Sequence, residues 1–467
     1  MRRVLLAVAW CALAACPAPV GGDDGGLGGG QGGGASSGGG AATGGGGSAT
    51  GGGSATGGGG ATGGGGAMGG GGATGGGSAI EIATWVDSPG TCPGGTTQKD
   101  ITTLAQLQDA TRHDGAYASD APDTCYLIHD GTYVQSGTTL AVYVTFGGTD
   151  ATHRRLFIGQ SRAGVIIKGR ATIDGAASHV QLSNLTFDLT GFAGSGSFNT
   201  LSLLTGSTDL RIDHLTFTGD CATGANGGHV EIDGATDVVV ESSLIEKFGR
   251  CGPLGHQDHG VYLASGSNLV IRNNEIRGNA SRGIQFNTQG GQFGTLSDVL
   301  IEKNRIHDNG HADYEDGIVF NATGTGNIDR VTIRNNLLYA NYYSGVRVVG
   351  DQFSAISITH NTFFHNGAGS TAGGRSELNL DDVGSGAMTQ ITKNVIVAGN
   401  KIINDCYDSQ PRGYAITDNV TQGTLPIGTA ANCVTGTLVV DPMFVNSAAF
   451  DFHPQNAGIS GYGAYAP

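Results

Sequence analysis

Two histidines and a carboxylic acid fall within four residues near the middle of the chain. They are His256, Asp258 and His259, and an alternating segment that contains Tyr262 follows directly. A histidine can accept a proton near neutral pH and a tyrosine can donate one, so these residues suit general acid–base catalysis. His256 and His259 could also bind a metal ion, but no third ligand stands at a matching spacing, which favours a pocket wall.

Further candidates stand at equivalent positions of similar alternating segments. These segments begin at Leu201, His229, Gly260, Gly283, Gly317, Gly345 and Glu377. If their apolar residues face an interior, an outward column comprises Ser202, Glu231, Tyr262, Gln285, Val319, Arg347 and Asn379. An edge column, two residues before the first interior residue, comprises Gly228, His259, Arg282, Asp316, Ser344 and Ser376. One step earlier stand Asp258, Ser281, Glu315, Tyr343 and Arg375.

The columns place an acid–base group, cations and carboxylates on one face. An ordinary solvent-exposed face without a function would instead carry a mixture of Ser, Thr, Lys and Asn. Because parallel strands stack about 4.8 Å apart, we expect one open cleft with His259 within about 10 Å of Arg282. The predicted catalytic residues are His259, Arg282, Asp316, Tyr262 and Arg347. The predicted substrate-binding residues are Glu231, Gln285, His256, Arg375 and Asn379.

Elimination from a uronate sugar fits these residue types best. The reaction needs a cation to neutralise the sugar carboxylate, a base to remove the adjacent proton and a donor for the leaving oxygen. Arg282 or Arg347 could neutralise the carboxylate, His259 could be the base and Tyr262 the acid. Calcium is a candidate cofactor, with the candidate ligands Asp258, Glu315 and Asp316.

Two other functions remain open. An inverting glycoside hydrolase needs two carboxyl groups roughly 6.5–9.5 Å apart, and Asp258 and Asp316 stand two strands apart, at the limit of that range. A non-catalytic surface protein that binds glycan, or merely projects from the cell, is the third hypothesis. In each case a polysaccharide is the expected partner and a monomer the expected state.

The elements that must position these residues repeat along the chain. A first series of alternating segments starts at Val180, Leu210, Val238, Leu269, Val299, Val331, Ile356 and Thr389, in steps of 25 to 33 residues. Alternation with period two predicts strands, and no unit contains a convincing helix. A fixed period of this size predicts a solenoid, here a β-helix with at least two strands per turn and a short third after the corner.

Asparagines recur at two corners of the predicted turns. The first set is Asn274, Asn304, Asn336, Asn361 and Asn394, and the second is Asn279, Asn309, Asn341 and Asn366. Stacked asparagines can hydrogen-bond to one another along the solenoid and tolerate turn conformations, so these ladders are interpreted as structural.

This pattern resembles the pectin-lyase-like superfamily of right-handed parallel β-helices, which includes pectate lyases, polygalacturonases and mannuronan epimerases. The resemblance runs from about Asp130 to the C-terminus, with HDGTY from His129 and DPMFV from Asp441 similar to the family's first and closing segments. It implies an all-β fold and a glycan substrate. The strand with two consecutive aspartates that is typical of polygalacturonases is missing, and so is the Asp-Pro-His motif of the epimerases. The complete catalytic site of neither family is therefore present in this sequence.

The first residues resemble a bacterial lipoprotein signal. Arg2 and Arg3 precede a short apolar core, and the segment ends in LAAC, with Cys16 last. The resemblance implies cleavage before Cys16, lipidation of its thiol and a location in the bacterial cell envelope, at the outer membrane or cell surface. Residues 17–79 are rich in Gly, Ala, Ser and Thr and predict a disordered linker, and residues 80–467 predict the β-helix domain.

The charge and the cysteine content limit the possible partners and indicate disulfides. The formal charge of −15 disfavours nucleic-acid binding, and no stretch beyond the signal is long enough to span a membrane. Six cysteines remain after the signal, and an even number in an exported protein favours disulfides. Pairing of sequence neighbours predicts Cys92–Cys125, Cys221–Cys251 and Cys406–Cys433. The spacing at Ile101–Arg112 predicts a short helix that caps the first turn.

Overall fold

The fold was analysed in a computed structural model. It describes residues 90–150, 152–191, 199–220, 228–249, 258–288, 294–322, 326–350, 352–380, 389–404, 414–422 and 434–466. All of them belong to the unit Gly76–Pro467. No helix among them is long and apolar enough to cross a membrane. The predicted signal, the linker and the cysteine pairs Cys221–Cys251 and Cys406–Cys433 lie outside the described residues.

The chain forms a right-handed parallel β-solenoid, as the repeat predicts. In the described residues, the two long strand series form one parallel sheet of 21 strands, here sheet A. Its strands are β1 Thr97–Ile101, β2 Thr124–Ile128, β4 Val142–Val144, β5 Arg155–Gly159, β7 Ala171–Ile173, β8 Ser178–Ser183, β10 Leu201–Leu204, β11 Thr208–Asp213, β13 Val230–Glu241, β15 Val261–Arg272, β17 Ile284–Asn287, β18 Leu296–Glu302, β20 Ile318–Ala322, β21 Ile328–Arg334, β23 Ser344–Gly350, β24 Phe353–Thr359, β26 Ser376–Asn379, β27 Thr389–Thr392, β29 Ile403–Asn404, β30 Tyr414–Thr417 and β32 Val434–Thr435.

The short third strand of each turn belongs to a second parallel sheet of 12 strands, here sheet B. Its strands are β3 Gly131–Val134, β6 Val165–Lys168, β9 Thr186–Asp188, β12 Thr216–Thr218, β14 Leu244–Glu246, β16 Glu275–Arg277, β19 Arg305–His307, β22 Leu337–Tyr339, β25 Thr362–Phe364, β28 Val395–Val397, β31 Val420–Gln422 and β33 Leu438–Val439. Between the sheets, the apolar residues of each strand stack in register into one continuous core.

Both asparagine ladders form as predicted. At the first corner, the backbone N–H and the side-chain amide of Asn274 donate to Oδ1 of Asn304 at 2.9 and 3.1 Å. The ladder extends beyond the predicted members, from the N–H of Ser243, which donates to Asn274, to Asn419. These side chains are almost completely buried, so the ladders satisfy polar groups that would otherwise lose water without compensation.

The second ladder ends in a carboxylate. Asn366 donates from its side-chain amide to Glu377 at 2.6 Å and from its backbone N–H at 3.0 Å. Glu377 thereby makes the contacts that the next asparagine would make. Burial raises the pKa of Glu377 to about 8, although the bonds from Asn366 oppose this shift. The ladder therefore ends in a buried group that is neutral over much of the pH range.

The first turn is capped by helix α1, Leu104–Arg112. The predicted helix began at Ile101, but this residue ends β1, and Thr103 is the N-cap. Thr103 and Gln106 form a capping box, which fixes the first helical residue at Leu104. The predicted disulfide Cys92–Cys125 is present, and it packs with Leu156 and Ile158 of β5.

An antiparallel hairpin of β34, Phe444–Asn446, and β35, Asp451–Pro454, closes the chain. Its Phe452 is buried against Tyr339 and Phe364 of sheet B, with ring centroids 5.2 and 4.9 Å away. The segment that resembles the family's closing segment therefore covers the outer face of sheet B.

Candidate functional site

The predicted outward column is confirmed by the strand register. Residues Ser202, Glu231, Tyr262, Gln285, Val319, Arg347 and Asn379 pair directly across β10, β13, β15, β17, β20, β23 and β26. Asn404 of β29 continues this column. The apolar neighbours that precede them face the core, as the alternation predicts.

A glycine precedes the first core residue in four successive turns and sets the bend of the chain. These glycines are Gly260, Gly283, Gly317 and Gly345. A Cβ on Gly260, Gly283 or Gly317 would come within 2.6 Å of the next turn's glycine carbonyl oxygen. Each Cβ would also meet the second asparagine ladder. Only glycine fits between the stacked backbones here.

Because of this bend, the edge column and the outward column meet. Each edge residue lies beside the outward residue three positions later. Asn199 donates to Ser202 at 3.1 Å, Arg282 donates to Gln285 at 3.3 Å, and the rings of His259 and Tyr262 lie 5.6 Å apart. The two predicted columns therefore form one polar strip along the start of these strands.

The centre of the strip holds two cations and one carboxylate. Asp316 is fully buried, and burial raises its pKa to about 6, although the guanidinium groups of Arg347 and Arg282 oppose the shift. Burial also lowers the pKa of Arg282, and Asp316 acts against that change. The guanidinium groups of Arg282 and Arg347 thus both act electrostatically on the buried carboxylate of Asp316, whose pKa is about 6.

Three aromatic rings stack next to this charged group. His259 and Tyr262 are nearly parallel, and the ring of His229 lies 6.0 Å from His259 and 5.1 Å from Tyr262. Burial lowers the pKa of His229 to about 3, so its imidazole is neutral at physiological pH. Burial raises the pKa of Tyr262, and Asn287 donates to its hydroxyl oxygen at 2.6 Å. Tyr262 is therefore protonated and held in place.

A second acid lies one strand from Tyr262. Burial raises the pKa of Glu231, and Asn199 donates a hydrogen bond to its carboxylate. Glu231 is half-buried on the same strip. The strip therefore holds two carboxyl groups, Glu231 and Asp316, whose protonated forms are favoured by their surroundings.

The expected open cleft differs from the structure in one respect. His259 is 3% exposed and Asp316 is 0% exposed, whereas Tyr262, Arg282 and Arg347 are partly accessible. The five predicted catalytic residues thus lie on one strip, but two of them lie beneath its surface.

Asp258 and Glu315, two of the residues one step before the edge column, lie against glycines of the preceding corner. A Cβ on Gly249 would lie 2.4 Å from Cβ of Asp258, and one on Gly310 would lie 2.7 Å from Cβ of Glu315. Both acids therefore turn towards the preceding corner, away from Asp316. Glu315 accepts hydrogen bonds from the backbone N–H groups of His311 and Ala312 at 2.6 and 2.8 Å.

This orientation corrects the calcium expectation. Asp258, Glu315 and Asp316 do not gather into a calcium site, and no group of three or more His, Cys, Asp or Glu in the described ranges could hold a metal ion. Asp258 and Glu315 stand one position before the edge column, and the bend at the following glycine turns them towards the corner.

Only some of the predicted substrate-binding residues lie on the strip. Glu231 and Gln285 lie on the strip, and Gln285 accepts from Arg282. Arg375 donates to the carbonyl oxygen of Ser370 at 2.6 Å, within the loop before β26. Asn379 is buried and donates to the backbone of Gly374. His256 lies outside the described residues.

The structure adds residues that the sequence analysis did not select. His229 occupies the position that is glycine in the next four turns, and this exception was a visible signal. Tyr314 and Tyr343 flank Arg347, whose guanidinium carbon lies 4.9 and 5.9 Å from their ring centroids. Tyr314 stands in a loop outside the repeating pattern, so periodicity could not have found it.

The chain is similar to several solved structures and to one family model. A search of curated proteins gives no match. The PL6 family alginate lyase AlyGC is 13% identical with a TM-score of 0.41, over 79% of this chain and 56% of that one, so the chain spans little more than half of that lyase. The A-module of AlgE4, a mannuronan C-5 epimerase of Azotobacter vinelandii, is 18% identical with a TM-score of 0.44, over 72% and 96%. PfbA, a surface adhesin of Streptococcus pneumoniae, is 14% identical with a TM-score of 0.48, over 72% and 86%.

These likenesses concern the fold alone. The family model described as "Right handed beta helix region" matches residues 126–379. That match spans more than half of the 467 residues and includes the whole strip from Asn199 to Asn379. The chain therefore belongs to the right-handed β-helix family.

Proposed function

We propose that the chain is a polysaccharide lyase, or an epimerase, that acts on a uronate-containing glycan along the polar strip. The proposal rests mainly on one observation: two guanidinium groups lie two strands apart on the strip, because Arg347 pairs with Val319, which pairs with Gln285, the hydrogen-bond acceptor of Arg282. The strip carries net positive charge once either of its acids, Glu231 or Asp316, is protonated, whereas the protein as a whole is acidic. Such charge suits an anionic sugar ring better than a neutral one.

The strip also holds groups for proton transfer. In the proposed reaction, Arg282 neutralises the sugar carboxylate, which acidifies the hydrogen on the neighbouring carbon. His259 removes that proton. The electron pair forms a carbon–carbon double bond, the bond to the glycosidic oxygen breaks, and this oxygen takes the proton of Tyr262. In an epimerase, a proton would instead return to the same carbon from the opposite face.

The stacked rings suit a return of the proton after each turnover. The rings of His259 and Tyr262 are nearly parallel with centroids 5.6 Å apart, so the proton that His259 gains would pass to the tyrosinate through bridging water. The neutral imidazole of His229 adds no positive charge that would oppose protonation of His259. The elimination consumes no water and needs no redox partner.

Incubation of the purified protein with alginate, polygalacturonate and glycosaminoglycans tests this proposal. A lyase makes a double bond conjugated to the carboxylate, so ultraviolet absorbance should rise with one of these substrates. New reducing ends without this absorbance would indicate a hydrolase and contradict the proposal. An epimerase would change the sugar composition without cleaving the chain.

A non-catalytic glycan-binding protein is the second candidate. The burial of His259, at 3% exposure, favours it, because a base must reach the carbon that it deprotonates. In that case one of the three polysaccharides should bind to the purified protein, with no change in absorbance, chain length or sugar composition after prolonged incubation.

We also propose that the protein is anchored in the bacterial cell envelope by a lipid on Cys16. The lipobox-like sequence before this cysteine supports this location, and the Gly-rich residues 17–79 would extend the β-helix away from the membrane. Cys16→Ser should move the protein from the membrane fraction to the soluble fraction. Membrane fractionation unchanged by this substitution would contradict the lipid anchor.

A further inference from the structure

Tyr314 combines exposure with an uncommon backbone conformation beside the strip. Its residue is 51% exposed, and its φ of 68° lies in the left-handed region. A bulky side chain rarely adopts this region, and such a conformation persists only where the surroundings impose it. The ring packs 5.0 Å from that of Tyr343, with the guanidinium of Arg347 4.9 Å from its centroid.

The residues on either side of Tyr314 fix its loop. Glu315 is fully buried and accepts from the N–H groups of His311 and Ala312. On the other side, the hydroxyl of Ser370 donates to Asp313 at 2.5 Å. The ring is therefore held in place before any ligand arrives, which lowers the entropy lost on binding.

We propose that Tyr314 is the platform of a sugar-binding subsite. The apolar face of a sugar ring stacks on the exposed ring of Tyr314, and Arg347 binds the carboxylate of that sugar or its neighbour. A guanidinium that stacks on an aromatic ring through its face keeps its N–H donors in the plane for an anion. This inference rests on the proposed function, since it assumes a uronate glycan on the strip.

The position of the subsite defines the length of the substrate. Arg347 pairs with Val319, which pairs with Gln285, which pairs with Tyr262, so Arg347 is three strands from the stacked rings. At the usual strand spacing this is roughly 14 Å, longer than one sugar ring. The subsite therefore selects an oligosaccharide or polymer that extends along the strip, rather than a free uronate.

The test compares variants of the full chain by calorimetric titration with hexasaccharides of alginate and of polygalacturonate. Tyr314→Asn removes the ring but keeps a residue that tolerates the left-handed region, so the loop should be preserved. Tyr314→Phe keeps the ring. Phe450→Asn is the matched control, because Phe450 has a φ of 59° and 47% exposure in the C-terminal segment, away from the strip.

The expected result is roughly ten-fold weaker binding for Tyr314→Asn, and unchanged binding for Tyr314→Phe and Phe450→Asn. Wild-type affinity in Tyr314→Asn would overturn the subsite and leave the proposed function standing. Equal loss in Tyr314→Asn and Tyr314→Phe would also overturn it, because the ring would then not be the binding element. Absence of wild-type binding to both hexasaccharides would overturn the subsite, whereas the proposed function is overturned only if the absorbance and composition screen on all three polysaccharide classes is also negative.

Discussion

Replacing Glu377 by glutamine should stabilise the fold at neutral and alkaline pH. Glu377 ends the second asparagine ladder inside the solenoid, where it accepts from the amide and the backbone N–H of Asn366. A glutamine carbonyl can accept the same two bonds, as the Oδ1 atom of each asparagine does in the turns before. Glu377 also accepts from the backbone N–H of Gly399, and either protonation or an amide nitrogen turns one of its two oxygen acceptors into a donor. The substitution therefore resembles the protonated acid and cannot ionise.

The size of the effect follows from the shift in pKa. The pKa of Glu377 rises from 4.5 to about 8 in the folded protein, so the folded state binds the proton more tightly than the unfolded state. The stabilisation by this proton is fully present below pH 4.5 and is lost as the pH rises through 8. Between these pH values, each pH unit lowers the free energy of unfolding of the wild type by about 1.4 kcal/mol. The loss relative to pH 4.5 is roughly 3 kcal/mol at pH 7 and about 5 kcal/mol above pH 8.

Thermal unfolding of the wild type and Glu377→Gln, measured at several pH values from 5 to 9, provides the assay. Near pH 5 the two proteins should unfold at similar temperatures. The variant should become more stable by several degrees as the pH rises, since 1 kcal/mol corresponds to about 2 °C in a large domain. A difference in melting temperature that stays constant with pH would refute the reasoning, because ionisation would then not be its source.

Three further predictions concern the strip and the disulfide. In the wild type, uronate binding should tighten as the pH falls through about 6, because protonated Asp316 no longer offsets the two guanidinium groups. Asp316→Asn should remove this pH dependence. Titrations at pH 5 and 7.5 measure the effect, and equal wild-type affinities at the two pH values would contradict it. Arg282→Ala should lower kcat/KM on a confirmed substrate more than Arg282→Lys does, because lysine retains a charge but loses the fork; equal losses would show that charge there is not used. Cys92→Ser should lower the free energy of unfolding by roughly 4 kcal/mol, because the disulfide to Cys125 closes a loop of 33 residues; an unchanged melting temperature would show that the disulfide adds little stability.

Most of the fold could be predicted because its pattern repeats. The asparagines of both ladders stand at fixed offsets, and in the structure each bonds to its equivalent in the next turn, so the sequence offset determines the strand register. That register in turn places Tyr262 beside Gln285, and Arg347 beside Asn379. The sequence could thus predict which residues share a column.

The direction of individual side chains could not be predicted equally well. Asp258 and Glu315 stand next to the edge column in sequence, but the bend at the following glycine turns them to the corner. The sequence pattern also does not predict that His259 and Asp316 are buried, because their burial depends on how neighbouring turns pack over them. Tyr314 depends on a single loop, whose conformation is fixed by contacts outside the repeat.

The most direct test of the central claim is the rate of unsaturated-product formation by the wild type and by His259→Ala on the uronate glycan that the screen identifies. His360→Ala is the matched control, since His360 is a partly buried histidine at the first ladder corner, away from the strip. His259→Ala should lose the activity while its melting temperature stays near that of the wild type. His360→Ala should remain active. Full activity in a folded His259→Ala would contradict the proposed role of His259 as the base.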